Sequence, residues 1–146
     1  MSTHTPARYL KAVGGLLIGL GVVHLAATPF IAELLRGSPP VVYNRAVGPT
    51  LRNHVLVGIL LVSLGVTTWF AAAACERGEQ WALPIVVTNT IVVFTLPLSI
   101  TAFMRQPEYY TAPLFLTGVL LAFVISLLMA VATVSLARKR WRSRRS

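Results

Sequence analysis

The sequence predicts an all-α integral membrane protein: a four-helix bundle with both termini cytoplasmic and a short helix on the outer surface after the first span. Three observations carry this. Of the 146 residues 55% are hydrophobic and only 12% charged, with a mean hydropathy of +0.73, well outside the usual range of soluble domains. Four apolar runs approach or exceed the ~20 residues that cross a bilayer core. The basic residues fall asymmetrically about those runs, nine on one side and four on the other.

The first span is expected over about 9–28. Arg8 and Lys11 precede it, as in a signal peptide, but the run is long and "LAA" makes a poor cleavage site, so it is expected to be retained. The link that follows, roughly Pro29 to Thr50, opens with "TPFIAELLRG". This reads as a short helix with Thr28 as cap, Pro29 at its first position and Gly37 as terminator. "SPPVVYNRAVGPT" then reads as an irregular segment broken by Pro39, Pro40, Gly48 and Pro49, with Val41, Val42 and Tyr43 folding it back on the bundle. The second span is expected over about 51–75, the third over 81–103 and the fourth over 111–137. The links "ERGEQ" and "MRQPEYY" are too short for another domain, so 1–146 is one transmembrane unit ending in a basic tail, 138–146.

An even number of spans puts both termini on one side. That side carries Arg8, Lys11, Arg77 and the six basic residues of the tail, against Arg36, Arg45, Arg52 and Arg105 opposite. The imbalance places the termini in the cytoplasm of a multi-pass plasma-membrane protein. Arginine outnumbers lysine eleven to two, and alanine and valine are abundant; this composition suggests a bacterial inner membrane. The net charge of +9 is concentrated beside the last span, so the expected partners are the bilayer and anionic headgroups at the tail, and no nucleic acid. Cys75 belongs to no redox or metal motif.

Helical periodicity assigns the faces. Gly14, Leu17, Gly21, His24 and Thr28 form one stripe of the first span, and His54, Gly58, Leu61, Gly65, Thr68 and Ala72 one of the second. Small residues let membrane helices approach closely, so both histidines are expected inside the bundle. They lie at comparable depth if the first span ends near Thr28; a helix running unbroken to Leu35 would offset them. Thr88, Thr95, Ser99 and Ala102 form a stripe on the third span, read as packing, with Asn89 beside it as a structural polar contact across helices. Ser126, Ala130, Thr133 and Ala137 share a face of the fourth.

The chain has no aspartate and four glutamates, none deep in a span, which argues against a proton-coupled exporter. Two readings remain. In one, His24 and His54, with Glu33 nearby, form an outer-half site for haem, a metal ion or a quinone, Gly21 and Gly58 making room for a flat macrocycle. The bland alternative satisfies His24 on a neighbouring threonine or carbonyl and leaves His54 near the headgroups. In the other reading, the chain is an accessory or interaction protein that packs through small-residue faces into a homo-oligomer or larger complex. Gly15 and Gly19 then supply a second close-approach face away from His24. The accessory role is expected ahead of an autonomous enzyme.

"RYLKAVGGLLIGLGVVHL" resembles the opening helix of small four-helix prokaryotic membrane proteins of the DoxX-like group. Some members of that group are linked to quinone-dependent redox chemistry. The resemblance implies the same layout and favours a redox ligand in the outer half; it transfers no individual residue's role.

Overall fold

A computed structural model of the chain describes residues 4–37, 40–103 and 113–143. It consists of α1 (His4–Ala26), α2 (Thr28–Arg36), α3 (Pro40–Glu76), α4 (Ala82–Phe103) and α5 (Pro113–Ser143). Four stretches are long and apolar enough to cross a membrane, and among the described residues there is no strand. The protein is a multi-pass membrane helix bundle. Each crossing packs on the next in chain order, and α5 returns to pack on α1, closing a ring α1, α3, α4, α5. The N-terminal half of α1 lies beside the C-terminal half of α5, so both termini share one end of the bundle, here the termini end.

The α3 to α4 turn shows how short polar links suffice. Gly78 takes φ +83°, the left-handed conformation that favours glycine. Its N–H donates to the Cys75 carbonyl at 3.2 Å, and that of Glu79 to the Ala74 carbonyl at 3.1 Å. These two bonds are a Schellman cap, which satisfies the last carbonyls of α3 while reversing the chain. Arg77 Nε and Trp81 Nε1 both donate to the Glu79 carboxylate, at 2.6 and 2.5 Å, and Arg140 reaches over from α5 to the Glu79 carbonyl at 2.7 Å. Lys11 of α1 pairs with Glu76 of α3 at the same end. Trp81 and Trp141 are exposed there, the position of interfacial aromatics.

Two local expectations are corrected. First, the segment read as irregular up to Thr50 is helical from Pro40, and α3 runs 37 residues through Pro49. Pro40 starts the helix, where its missing N–H costs nothing, and Pro49 removes one bond from a ladder long enough to hold without it. Second, Thr28 is not the cap of α2. Ala27 holds that place in helical conformation, accepting from Ile31 N–H and donating to the Val23 carbonyl, while the Thr28 hydroxyl bonds back to the His24 carbonyl. The short helix α2 is therefore separated from α1 by a single residue, and none of its side chains is buried.

The core holds mostly small and aliphatic residues: Leu10, Val13 and Leu17 of α1, Ala71, Ala72 and Cys75 of α3, Val86 and Val93 of α4, Ile125, Met129 and Leu136 of α5. Asn89 is buried and joins α4 to α3, its Nδ2 donating to the hydroxyls of Thr67 at 2.8 Å and Thr68 at 3.0 Å. The Thr90 hydroxyl donates to its own helix at Val86 O, so Thr133 of α5 is the donor in their 2.8 Å contact. Ser126 of α5 lies 3.0 Å from the Val93 carbonyl. The stripe Thr88, Thr95, Ser99 and Ala102, by contrast, is exposed. Thr95 returns its hydroxyl proton to the Val92 carbonyl, which hides its polarity and lets it face lipid.

Candidate functional site: a stacked histidine pair

The α1 and α3 stripes meet as an antiparallel seam of glycines. Gly14 lies against Gly65 and Gly21 against Gly58, so close that a Cβ added at Gly65 would stand 2.6 Å from the Gly14 carbonyl oxygen, and one at Gly21 2.8 Å from that of Gly58. Nothing but hydrogen fits at these points. The seven-residue interval is the same on both helices, so the seam repeats every two turns and keeps the helices in register along their length.

That register delivers the histidines. One turn beyond the Gly21/Gly58 contact, the rings of His24 and His54 stack with centroids 3.6 Å apart and an interplanar angle of 27°. The first helix does carry on almost unbroken past Thr28, but α3 also starts eleven residues earlier than the apolar run suggested, so neither helix is shifted against the other. Both rings are partly buried. His54 Nε2 is fully enclosed and makes no hydrogen bond, which is costly for a group that must carry either a proton or a lone pair.

The remaining residues expected here are placed elsewhere. Glu33 is on α2, exposed, and pairs with Arg36 at 2.6 Å; among the described residues no three His, Cys, Asp or Glu side chains gather as a metal cluster. Rings in face-to-face contact at 3.6 Å leave no gap for a macrocycle between them. Gly21 and Gly58 do not create one, since the space before each is filled by the partner backbone, Val62 or Leu25. Imidazole nitrogens donate in the ring plane, so both histidines could hold one metal ion only after a ring turns about its side-chain bonds. The enclosed and unpartnered His54 Nε2 is the atom of the pair whose hydrogen-bonding need a ligand's carbonyl oxygen would meet.

The second glycine face is different. A Cβ added at Gly15 would meet only the Trp69 ring, at 3.5 Å, and one at Gly19 would meet nothing within 4 Å. With the exposed Ala12, Leu16, Val23 and Ala26 it forms an outward stripe in which small residues recur at 12, 19 and 26, the interval of the inner seam. Sequence reasoning singles out Gly15 and Gly19 on this face and does not name Ala12 and Ala26, which complete the seven-residue interval with Gly19. The chain matches no protein-family model, no curated protein and no solved structure, so the likeness to the DoxX-like group remains that of the quoted α1 residues.

Proposed function

We propose that the protein acts as an accessory subunit that associates with other membrane helices, through the outward stripe of α1. The observation that supports this is Gly19: a small residue with open space before it, inside a seven-residue repeat of small residues that α1 uses on its opposite side to interlock with α3. Lipid gains nothing from such a repeat, whereas a second helix gains close backbone approach. The buried hydroxyls and amide described above are spent on helix-to-helix bonds, in keeping with a packing role. Both termini would face the cytoplasm of a bacterial inner membrane, as the charge asymmetry expects.

The test is cysteine cross-linking in native membranes, with Cys75→Ser as background. Val23→Cys or Ala26→Cys is expected to trap a second copy or another membrane protein, and Gly19→Leu, which has room for its side chain within the chain, is expected to abolish the trapping. No product at any position on this stripe would reject the proposal.

A second reading, a polar ligand at the histidine pair, is favoured by the enclosed, unpartnered His54 Nε2. Zinc ion and a short-chain quinone are the probes. His54→Phe keeps a stacking ring and deletes the nitrogens; equal binding by this variant and the native protein would remove the pair from consideration.

A further inference from the structure

We infer that the groove between α1 and α5 at the termini end is a binding site for one anionic phospholipid of the adjoining leaflet. The groove has a volume of about 860 Å³. Its floor is Val13 and Ala132, both buried, and its sides include the exposed Tyr9 and Leu128. At its mouth stand Arg138, Lys139 and Arg142.

Two gradients run together along it. From Leu128 to Arg142 is fourteen residues of α5, about 21 Å, so the groove reaches from the headgroup layer to about the middle of a ~30 Å hydrocarbon core. Over that distance its lining changes from wholly apolar to cationic, with Ser135 between and Thr5 near the mouth. This is the polarity profile of a phospholipid: acyl chain at depth, phosphate at the boundary. The charge is complementary as well. Among the described residues no carboxylate lines the groove; Glu76 is held by Lys11 and Glu79 by Arg77. Arg138 and Arg142, four residues apart on one face of α5, are set to fork onto one phosphate.

The occupant is distinct from the general pull of a basic tail on an anionic surface, because that pull needs no groove. The groove shares Ala12 and Leu16 with the outward stripe of α1 and leaves Gly19, Val23 and Ala26 outside it.

The experiment is native mass spectrometry of the full chain, released from detergent after equilibration with equal amounts of phosphatidylglycerol and phosphatidylcholine. One phosphatidylglycerol is expected to be retained. The Arg138→Gln/Arg142→Gln variant should lose affinity roughly 30-fold, at about a factor of five per basic side chain. Ala12→Phe, which places a ring in the groove from an exposed position, should also lose the bound lipid, whereas Leu120→Phe, exposed on α5 about 12 Å beyond the groove's inner end at Leu128, should keep it. Val131→Trp is a second groove-filling variant should Ala12→Phe fold poorly. Equal retention of phosphatidylcholine would overturn the inference. So would loss with the arginine variant but not with either filling variant, which is surface attraction alone, or a second copy of the chain in place of lipid.

Discussion

Replacing Gly65 with alanine tests the α1 to α3 seam most directly. The new Cβ would stand 2.6 Å from the Gly14 carbonyl oxygen and 2.8 Å from the Ile18 nitrogen, both backbone atoms that cannot step aside alone. Reaching the 3.4 Å of ordinary contact requires about 0.8 Å of separation, and on that scale much of the attraction of the surrounding contacts is forfeited. Overpacking of this kind costs about 1–3 kcal/mol, and alanine's better helix propensity returns up to about 1 kcal/mol. A net loss of up to about 2 kcal/mol remains. Gly21→Ala should behave alike, with Val62 nitrogen and the Gly58 oxygen at 2.8 Å. Gly58→Ala should cost less, because its nearest obstacle is the movable Leu25 side chain, and Gly19→Ala, with open space before it, should be neutral or slightly stabilising. The assay is unfolding of the four variants in mixed micelles by titration with sodium dodecyl sulfate, followed by circular dichroism. If Gly65→Ala matches or exceeds Gly19→Ala in stability, the seam does not hold the helices as described.

Other consequences can be measured in the same way. Asn89→Ala removes two donated bonds between α4 and α3 and should cost about 1 kcal/mol, the range of polar contacts within membranes; an unchanged midpoint would refute the tie. Lys11→Glu should destabilise the termini end by up to about 1 kcal/mol, since the pair is partly exposed, and Lys11→Glu/Glu76→Lys should recover it; failure to recover would show that the charges are not coupled. Hydrogen bonding from Arg77, with a further bond from Trp81, holds the Glu79 carboxyl below the usual 4.5. A depressed value means that the contribution of Glu79 is complete above pH 4.5 and is lost as pH falls through the lower folded value. Trp81 fluorescence should therefore change only below pH 4.5, and not at all in Glu79→Gln. A midpoint at or above 4.5 would contradict the bonding geometry.

The four crossings and the inner faces of α1 and α3 were legible because period and small-residue content point the same way at Gly14, Gly21, Gly58 and Gly65. Asn89 was legible because an amide is too costly to leave in lipid. Hydroxyls gave no such signal: Thr88 and Thr95 look like Thr90 in sequence, yet a threonine that bonds its own backbone can face either way, and only packing decides. The N-terminal part of α3 was hidden by its prolines and by Gly48. Those residues break a helix in water, but not one that begins at Pro40 and crosses Pro49 with long helical stretches on either side. The stacked histidines thus followed from a correct stripe and an incomplete account of helix lengths, in which the extensions of both helices offset one another.

The glycine seam has a consequence for how the protein is made. All its contacts, with the Lys11–Glu76 pair at one end and the histidines at the other, lie within the first 76 residues. A ribosome that has delivered α3 to the membrane has delivered everything this hairpin requires, before α4 exists. The second hairpin then arrives at a finished surface and docks by its apolar core side chains, Val86, Val93, Met129 and Leu136 among them, with Asn89 on Thr67 and Thr68 on one flank. The most intimate helix pair of the bundle is in this way also the first to be complete during synthesis, and an error in the second hairpin need not undo it.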